Sequence, residues 1–353
     1  MSSEVTGALW ARVKNLELQV EGYHLSPMEL VTNTGFRRLT TEVCLQGGGF
    51  TGKGEEVAWG AEHQQAFRDR GSNLSLEGTQ TLGEFSERLD GMELSPDSPP
   101  DKAWLDYRRW AFESAALDLA LRQAGNGIDD QLGRRAKPLH FAVSLGLSDF
   151  GEIERRQAIH SNMRFKLDAT PDWSAELCAR LAQTEAVDVV DFKGAYSGTP
   201  VDVAADIDLY SRVLDAMPDV VVEDPHNRRE ILNLLQERNA KVAWDAPIHS
   251  MADVDAMPLV PQALNIKPSR FGTLRKLFEA YEQCAGRGLP TYGGGQFELG
   301  VGRRQIQLLA ALFHAENSND VAPGAYHRLE DPEPKPASPL ALKVQAVGFD
   351  LQL

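Results

Sequence analysis

Residues 164–193 read RFKLDATPDWSAELCARLAQTEAVDVVDFK. The run Arg164–Asp168 and the run Val187–Lys193 are short, apolar or β-branched, and each ends on charged residues; the stretch between them carries a helical pattern. Two such runs joined by one helix are the parallel strands of a βα unit. The same cadence starts near His140 and runs through HFAVSLGL, MRFKLD, VDVVDFK, VVVEDP, KVAWDAP, ALNIKPS and LPTYGGG, with a fainter eighth copy near Val321 to Tyr326. Eight runs roughly 25 residues apart fit a (β/α)8 barrel better than an open dinucleotide-binding sheet. No GxGxxG follows the first of them, which weakens the open sheet further.

The chain ahead of the barrel mixes two patterns. Leu16 to Tyr23 and Thr41 to Leu45 alternate or are β-branched, and Gly47 to Gly49 supplies a turn, so an antiparallel sheet is expected there. After the Pro- and Asp-rich break Ser95 to Asp101, Trp104 to Ala124 puts Phe112, Ala115, Ala116, Leu119 and Ala120 on one helical face and stops at Gly125. Leu340 to Leu353 forms an apolar-alternating tail after the Pro-rich Glu330 to Pro339, and is expected to return and pair with the N-terminal sheet. The division that follows is a capping domain over 1–135, a barrel over 136–330 and a returning tail over 331–353.

At 353 residues the chain is long enough for a barrel with an accessory domain. Thirty-six Lys and Arg against fifty-one Asp and Glu give a net charge of -15, which repels phosphate backbones and anionic lipid and makes nucleic acid a poor partner. Cys44, Cys178 and Cys284 are odd in number and far apart, and read as buried thiols rather than a disulfide frame or zinc site. MSSEVTGALW lacks the pattern of a secretory signal, and no apolar run is long enough for a membrane span, so a cytoplasmic protein is expected.

In a barrel of this kind the chemistry sits at the carboxyl ends of the strands. The second run ends in Arg164-Phe-Lys166, the third in Asp191-Phe-Lys193, the fourth in Glu223-Asp-Pro, the fifth in Asp245 and the sixth in Asn265-Ile-Lys267. Three successive carboxylates without His or Cys are a hard-oxygen set that suits Mg2+; without a cation they would raise one another's pKa. Each acid taken singly could instead cap a helix or pair with a basic neighbour. Strands two and six are opposed in an eight-stranded barrel, so Lys166 and Lys267 face each other across the mouth. A substrate carboxylate between them would offer its α-proton to an amine on either face, and a divalent ion would stabilise the enediolate that forms. A lysine base must be neutral near pH 7, and Arg164, two residues before Lys166 on the same strand face, is expected to push its pKa down.

The set Arg164-x-Lys166, Asp191, Glu223-Asp-Pro, Asp245, Asn265-Ile-Lys267 and Gly293-Gly-Gly-Gln-x-Glu298-Leu-Gly resembles the enolase superfamily, muconate-lactonizing-enzyme subgroup, as does the helix Phe112-Glu-Ser-Ala-Ala-Leu-Asp-Leu-Ala. The resemblance implies a modified TIM (β/α)7β barrel with an α+β cap. It also implies Mg2+ on Asp191, Glu223 and Asp245, and Lys166 and Lys267 as the acid/base pair. Cap loops that select the substrate would fall around His24 to Phe36 and Gly47 to Gly54. Three positions depart from the subgroup: Arg164 replaces its usual lysine, Lys193 stands where Asn is common, and Asn319-Asp-Val-Ala-Pro-Gly lacks the aspartate pair of dipeptide epimerases. Lys193 could anchor a substrate anion or pair with Asp191 or Glu223.

Gln296 and Glu298 could line the pocket, and Glu298 could instead cap the next helix or hold Lys267. His226 and His249 read as polar loop histidines. Gly47-Gly-Gly-Phe-Thr-Gly52-Lys53-Gly54 nearly matches a P-loop, but Gly54 takes the Ser/Thr place and Glu55-Glu56 would repel phosphate, leaving a mobile cap turn. The expected activity is Mg2+-dependent α-proton abstraction from a small-molecule carboxylate, as a racemase or epimerase. A cycloisomerase, a β-eliminating synthase and a non-catalytic carboxylate binder are the alternatives, and monomer and homo-oligomer stay open.

Overall fold

The computed structural model describes residues 7–32, 35–95, 99–147, 149–196, 198–199, 201–327, 331 and 333–352. The break at Ser95 to Asp101 and the barrel boundary at 330 therefore fall partly outside the described residues.

Strands β1 (Glu17–Val20) and β5 (Gly78–Thr81) pair antiparallel, and β2 (Gly22–Val31), β3 (Arg37–Gly47) and β4 (Phe50–Glu56) form an antiparallel meander. Seven parallel strands follow in sequence order: β6 (Ala142–Gly146), β7 (Arg164–Asp168), β8 (Val187–Asp191), β9 (Val221–Glu223), β10 (Lys241–Trp244), β11 (Ala263–Ile266) and β12 (Thr291–Gly293). Together they make the modified barrel and its α+β cap.

Strand alternation decides what each residue sees. Phe165, Leu167, Val190, Val222, Val242, Trp244, Leu264 and Ile266 all join one hydrophobic core, the layer between strands and surrounding helices. Their neighbours at the intervening positions, Lys166, Asp191, Glu223, Asp245, Asn265 and Lys267, are buried but lie on the opposite, inward face. A period of two thus separates the apolar wall from the polar interior on every strand that carries chemistry.

The eighth run does not form the expected strand. Gly324–Tyr326 is one 3-10 turn entered from Pro323, which has no N–H for a ladder. Closure falls instead to Asn319. Its backbone bridges Phe141, with Ala142 N–H donating to its carbonyl at 2.8 Å. Its side-chain Oδ1 accepts from Gly293 N–H at 2.6 Å, and so ties β12 to β6. The same oxygen lies 2.6 Å from His314 Nδ1, which must carry a proton to donate.

The tail returns to the cap as expected, but by a different pairing. Leu340 pairs with Leu139, Gly348 lies beside Gly127, and Phe349 N–H donates to Asp118 at 2.7 Å. The tail returns to the end of the long helix Ala103–Ala124, which stops at Gly125 in a left-handed conformation (φ 70°). Among the described residues it adds no strand to the N-terminal sheet.

Gly47 to Gly54 is likewise no loop over the mouth. It is the β3–β4 hairpin, and Gly52 and Gly54 let β4 lie on the long helix. A Cβ would stand 2.3 Å from Ala115 O at the first and 2.1 Å from Ala111 O at the second. The mouth is met at the other end of β4. Buried Glu55 accepts from the amides of Leu299 (2.6 Å), Gly300 (2.9 Å) and Gly302 (2.9 Å), capping the barrel helix Val301–Phe313. Buried Arg38 donates to the carbonyls of Val57 and Ala58 in the cap and of Gln296 and Phe297 in the barrel. Buried charges joined across the two parts make cap and β12 loop one unit.

Burial pushes His314 down to about 4 from an ordinary 6.5. The unfolded chain therefore binds a proton at a pH where the folded chain does not, so stability is full above about 6.5 and falls as pH drops toward 4. Urea unfolding from pH 7 to pH 4.5 is expected to show this loss, and His314→Gln to flatten that part of the profile.

Candidate active site

The inward polar residues converge at the carboxyl ends of β7 to β12. Asp191 ends β8, Glu223 ends β9 and Asp245 follows β10; none is more than 1 % exposed. Lys166 bonds Glu223 and approaches Asp320 (3.3 Å) and Asp191 (3.7 Å). Lys267 donates to Asp245 Oδ2 at 2.8 Å, and Arg270 to Asp245 Oδ1 at 2.6 Å. Lys193 donates to Asp191 through both its ammonium and its backbone N–H (2.9 Å for the latter), and its ammonium lies 3.0 Å from Asp168. Asn265 Nδ2 lies 3.4 Å from Glu223 Oε2, and the Tyr292 hydroxyl donates to the same oxygen.

Each oxygen of the three carboxylates thus has a donor. Among the described residues no three His, Cys, Asp or Glu side chains converge as an ion cage. Cations, rather than a gap between carboxylates, stand where the sequence reading put the ion. Hard anionic oxygen on successive strand ends is nevertheless the donor chemistry of Mg2+, and four protein cations drawn onto three carboxylates mark the concentration of negative charge such an ion would meet.

Electrostatics follow this pairing. Burial pushes Glu223 up to about 8 against the lowering pull of Lys166, and Asp191, Asp245 and Asp224 add to the rise. Burial also pulls Asp245 up, but Arg270 and Lys267 hold it well below the carboxylate range. For Lys166 burial favours the neutral amine, yet Glu223, Asp320 and Asp191 raise it above an ordinary lysine. The expected depression by Arg164 does not occur. Arg164 begins β7 at the amino-terminal end of the barrel, where its guanidinium pairs with Asp188 and donates to Glu185 O. Sharing a strand face is not proximity when side chains run to opposite ends of it.

The remaining sequence candidates divide. Lys193 pairs with Asp191, one of the two roles open to it. Glu298 accepts from the amide of Gln296 at 2.7 Å and does not cap the next helix, which Glu55 does. Gln296 receives Trp59 Nε1 from the cap at 3.0 Å. His226 is fixed between the Tyr210 hydroxyl (2.9 Å) and Val203 O (2.6 Å), and half-buried His249 lies on Arg270 O (3.2 Å). Both are structural.

Sequence reasoning missed Asp168, Tyr292, Asp320 and Arg270. Asp168 was legible as the true end of β7, two residues past Lys166, and Arg270 as the next charge after Lys267. Asp320 enters the sequence reading only as part of Asn319-Asp-Val-Ala-Pro-Gly and is not singled out, because no strand pattern marks it: the chain there makes one isolated bridge, Asn319 to Phe141. Lys193 (φ 54°), Asp224 (φ 45°) and Phe297 (φ 58°) sit in the left-handed region just after β8, β9 and β12. Two further non-glycine residues in this region, Glu185 (φ 52°) and Asn239 (φ 49°), lie in the turns before β8 and β10, so such backbone occurs at both ends of the barrel.

The barrel and the cap together have the fold of the enolase superfamily. The chain belongs to the family described as domain of unknown function DUF8230, whose N-terminal domain matches residues 11–131 and C-terminal domain residues 135–328. It is similar to an o-succinylbenzoate synthase of Geobacillus stearothermophilus, 24 % identical over 225 residues that cover 62 % of this chain and 59 % of that one. An N-succinylamino acid racemase of an Amycolatopsis species is 28 % identical over 211 residues, covering 57 % and 56 %. The chain thus spans less than three fifths of the length of these curated relatives. The solved muconate cycloisomerase of Pseudomonas fluorescens superposes with a TM-score of 0.71 at 19 % identity, over 96 % of this chain and 97 % of that one.

Because Arg164 faces Asp188 and not the mouth, Arg164→Ala is expected to lower stability by about 1 kcal/mol, the worth of a half-exposed ion pair with its hydrogen bonds. Mn2+ affinity should stay within about twofold. Urea unfolding and a Mn2+ titration check the two parts.

Proposed function

We propose that the chain abstracts the α-proton of a small carboxylate and returns one, as a racemase or epimerase, using Lys166 and Lys267 as acid and base. One observation carries this reading: two lysines, 2 % and 7 % exposed, stand on the second barrel strand and just past the end of the sixth, with Asp191, Glu223 and Asp245 on the strand ends between them. Binding alone has no need of two buried amines. Each would meet a substrate α-carbon from its own side, one taking a proton and the other returning it, and abstraction beside a carboxylate leaves an enediolate.

Asp191, Glu223 and Asp245 would hold Mg2+, which when bound supplies positive charge to the substrate carboxylate. Enzymes of the superfamily the chain resembles are generally Mg2+-dependent. Lys166 can act as the base only once Glu223 and Asp191 are neutralised by something other than its own ammonium, since those carboxylates hold its proton. Asn265 would orient Glu223 through its amide, while Asp320 would receive the ammonium of Lys166 as it turns from Glu223. Gln296 and Glu298 would fix the β12 loop against Trp59 and Arg38 of the cap, and residues 1–135 would act as lid and residues 136–330 as catalytic barrel. Buried, free Cys44, Cys178 and Cys284 fit a reducing cytoplasm.

The similarity to a synthase supports a second outcome, loss of a β-leaving group from the same enediolate. In D2O, racemisation places deuterium in both stereoisomers, whereas elimination gives an unsaturated product with new absorbance.

Lys166→Ala and Lys267→Ala are each expected to slow α-proton exchange by about a thousandfold, the scale of a lost general acid or base, without losing divalent-ion binding. NMR exchange in D2O over a panel of N-acylamino acids reads this, and full exchange in both variants refutes the assignment. Glu223→Gln should weaken Mn2+ binding by about tenfold or more; an unchanged calorimetric titration removes Glu223 from the ligand set.

A further inference from the structure

The position after Asp191-Phe is the one place in the mouth where this chain adds a charge to the pattern it resembles, and that charge lies on a proposed metal ligand. Lys193 Nζ bonds Asp191 Oδ2, and the Lys193 backbone N–H takes Oδ1 at 2.9 Å, so one residue occupies both oxygens. The lysine is held to this place by its backbone. Its φ is 54°, and the next residue, Gly194, is pressed so closely on the β9 loop that a Cβ would stand 2.3 Å from His226 N. Gly194 N–H donates to Asp224 O at 2.8 Å, and Phe192 N–H to Glu223 O at 3.0 Å. The Cα of Lys193 is therefore pinned between two ligand-bearing strands, and only its four-carbon stem is free to move. The stem has a second partner within reach, since Nζ is already 3.0 Å from Asp168 Oδ1 at the end of β7.

We propose that Lys193 is a tethered cation that competes with the divalent ion for Asp191. It neutralises Asp191 while the ion is away and withdraws to Asp168 when the ion binds. An ammonium within a few ångströms of a doubly charged ion in a buried site is a like-charge contact, screened far less than at the surface. Affinity for the ion is thereby reduced, and ion binding is coupled to movement of one side chain. Asp168 sets the cost of that movement: with it the lysine exchanges one carboxylate for another, without it the lysine leaves one for none. The inference rests on the metal reading of Asp191, Glu223 and Asp245.

The test measures ion binding and needs no substrate. Mn2+ is titrated into the full chain at pH 7.5, with free Mn2+ read by electron paramagnetic resonance. Lys193→Asn is expected to bind about tenfold tighter than the unaltered protein, and Asp168→Asn about tenfold weaker. Circular dichroism confirms that each variant is folded, and Lys193→Met, which keeps the stem without the charge, should match Lys193→Asn. Binding by the unaltered protein with no gain in either Lys193 variant overturns the competitor role and leaves the ligand set standing. No Mn2+ bound by any of the folded proteins overturns the ligand set and the competitor with it.

Discussion

Seven charges, six of them buried, at or near the ends of five neighbouring strands govern this molecule. Asp191, Glu223 and Asp245 cannot share a dry mouth unless positive charge lies among them. Lys166, Lys193, Lys267 and Arg270 supply it, each at bonding distance from one of the three. Their approach makes each carboxylate behave differently although all three are buried. Asp245, with two cations on its two oxygens, is held ionised, whereas Glu223, with one ammonium and two neutral donors, is pushed up to about 8. The strand period of two makes this arrangement compatible with a folded barrel. It turns the charged residues inward as a set and leaves Phe165, Val190, Val222, Val242 and Leu264 to build the wall that holds them.

The cap is fitted to this mouth by the same kind of interaction. The helix Val301–Phe313 begins at the β12 loop, where its open amides would attract an anion. Glu55 from the cap fills that place, and Arg38 spans from cap carbonyls to the carbonyls of Gln296 and Phe297. The loop that borders Lys267 and Asn265 is thus set from outside the barrel: a Cβ on Gly294 would stand 2.8 Å from Lys267 Cε. Position of the second lysine and position of the cap are consequently linked through one glycine-rich segment.

Much of this was legible in the sequence wherever the local pattern carries the information. Seven strand runs, the long helix with its glycine stop, the alternation and the charged strand ends all follow from spacing and residue type. What was not legible depends on contacts between distant segments. The eighth strand is replaced by Asn319, whose part in closure is made by a side-chain amide, and no periodicity announces a single residue. The tail's docking on Asp118 and the capping of one helix by Glu55 from another domain are invisible for the same reason. Arg164 shows the complementary failure: the period placed it on the correct face of β7, but the direction of its side chain was set by Asp188, a partner the strand-end pattern does not include.

The pairing of cations with ligands also explains why a residue count cannot establish a metal site. Three carboxylates at successive strand ends repel one another in sequence as in space, and the sequence reading resolved that repulsion with one external ion. The folded chain resolves it with its own ammonium and guanidinium groups, of which two, Lys166 and Lys267, are the amines that the proposed proton transfer would use. An ion held as proposed would therefore compete with these amines for the same negative charge. A base that carries its proton because of Glu223 can release it only when Glu223 is engaged elsewhere. On the proposed reading, ion binding and proton transfer would be one electrostatic event, because whatever neutralises the carboxylates would also free the lysine.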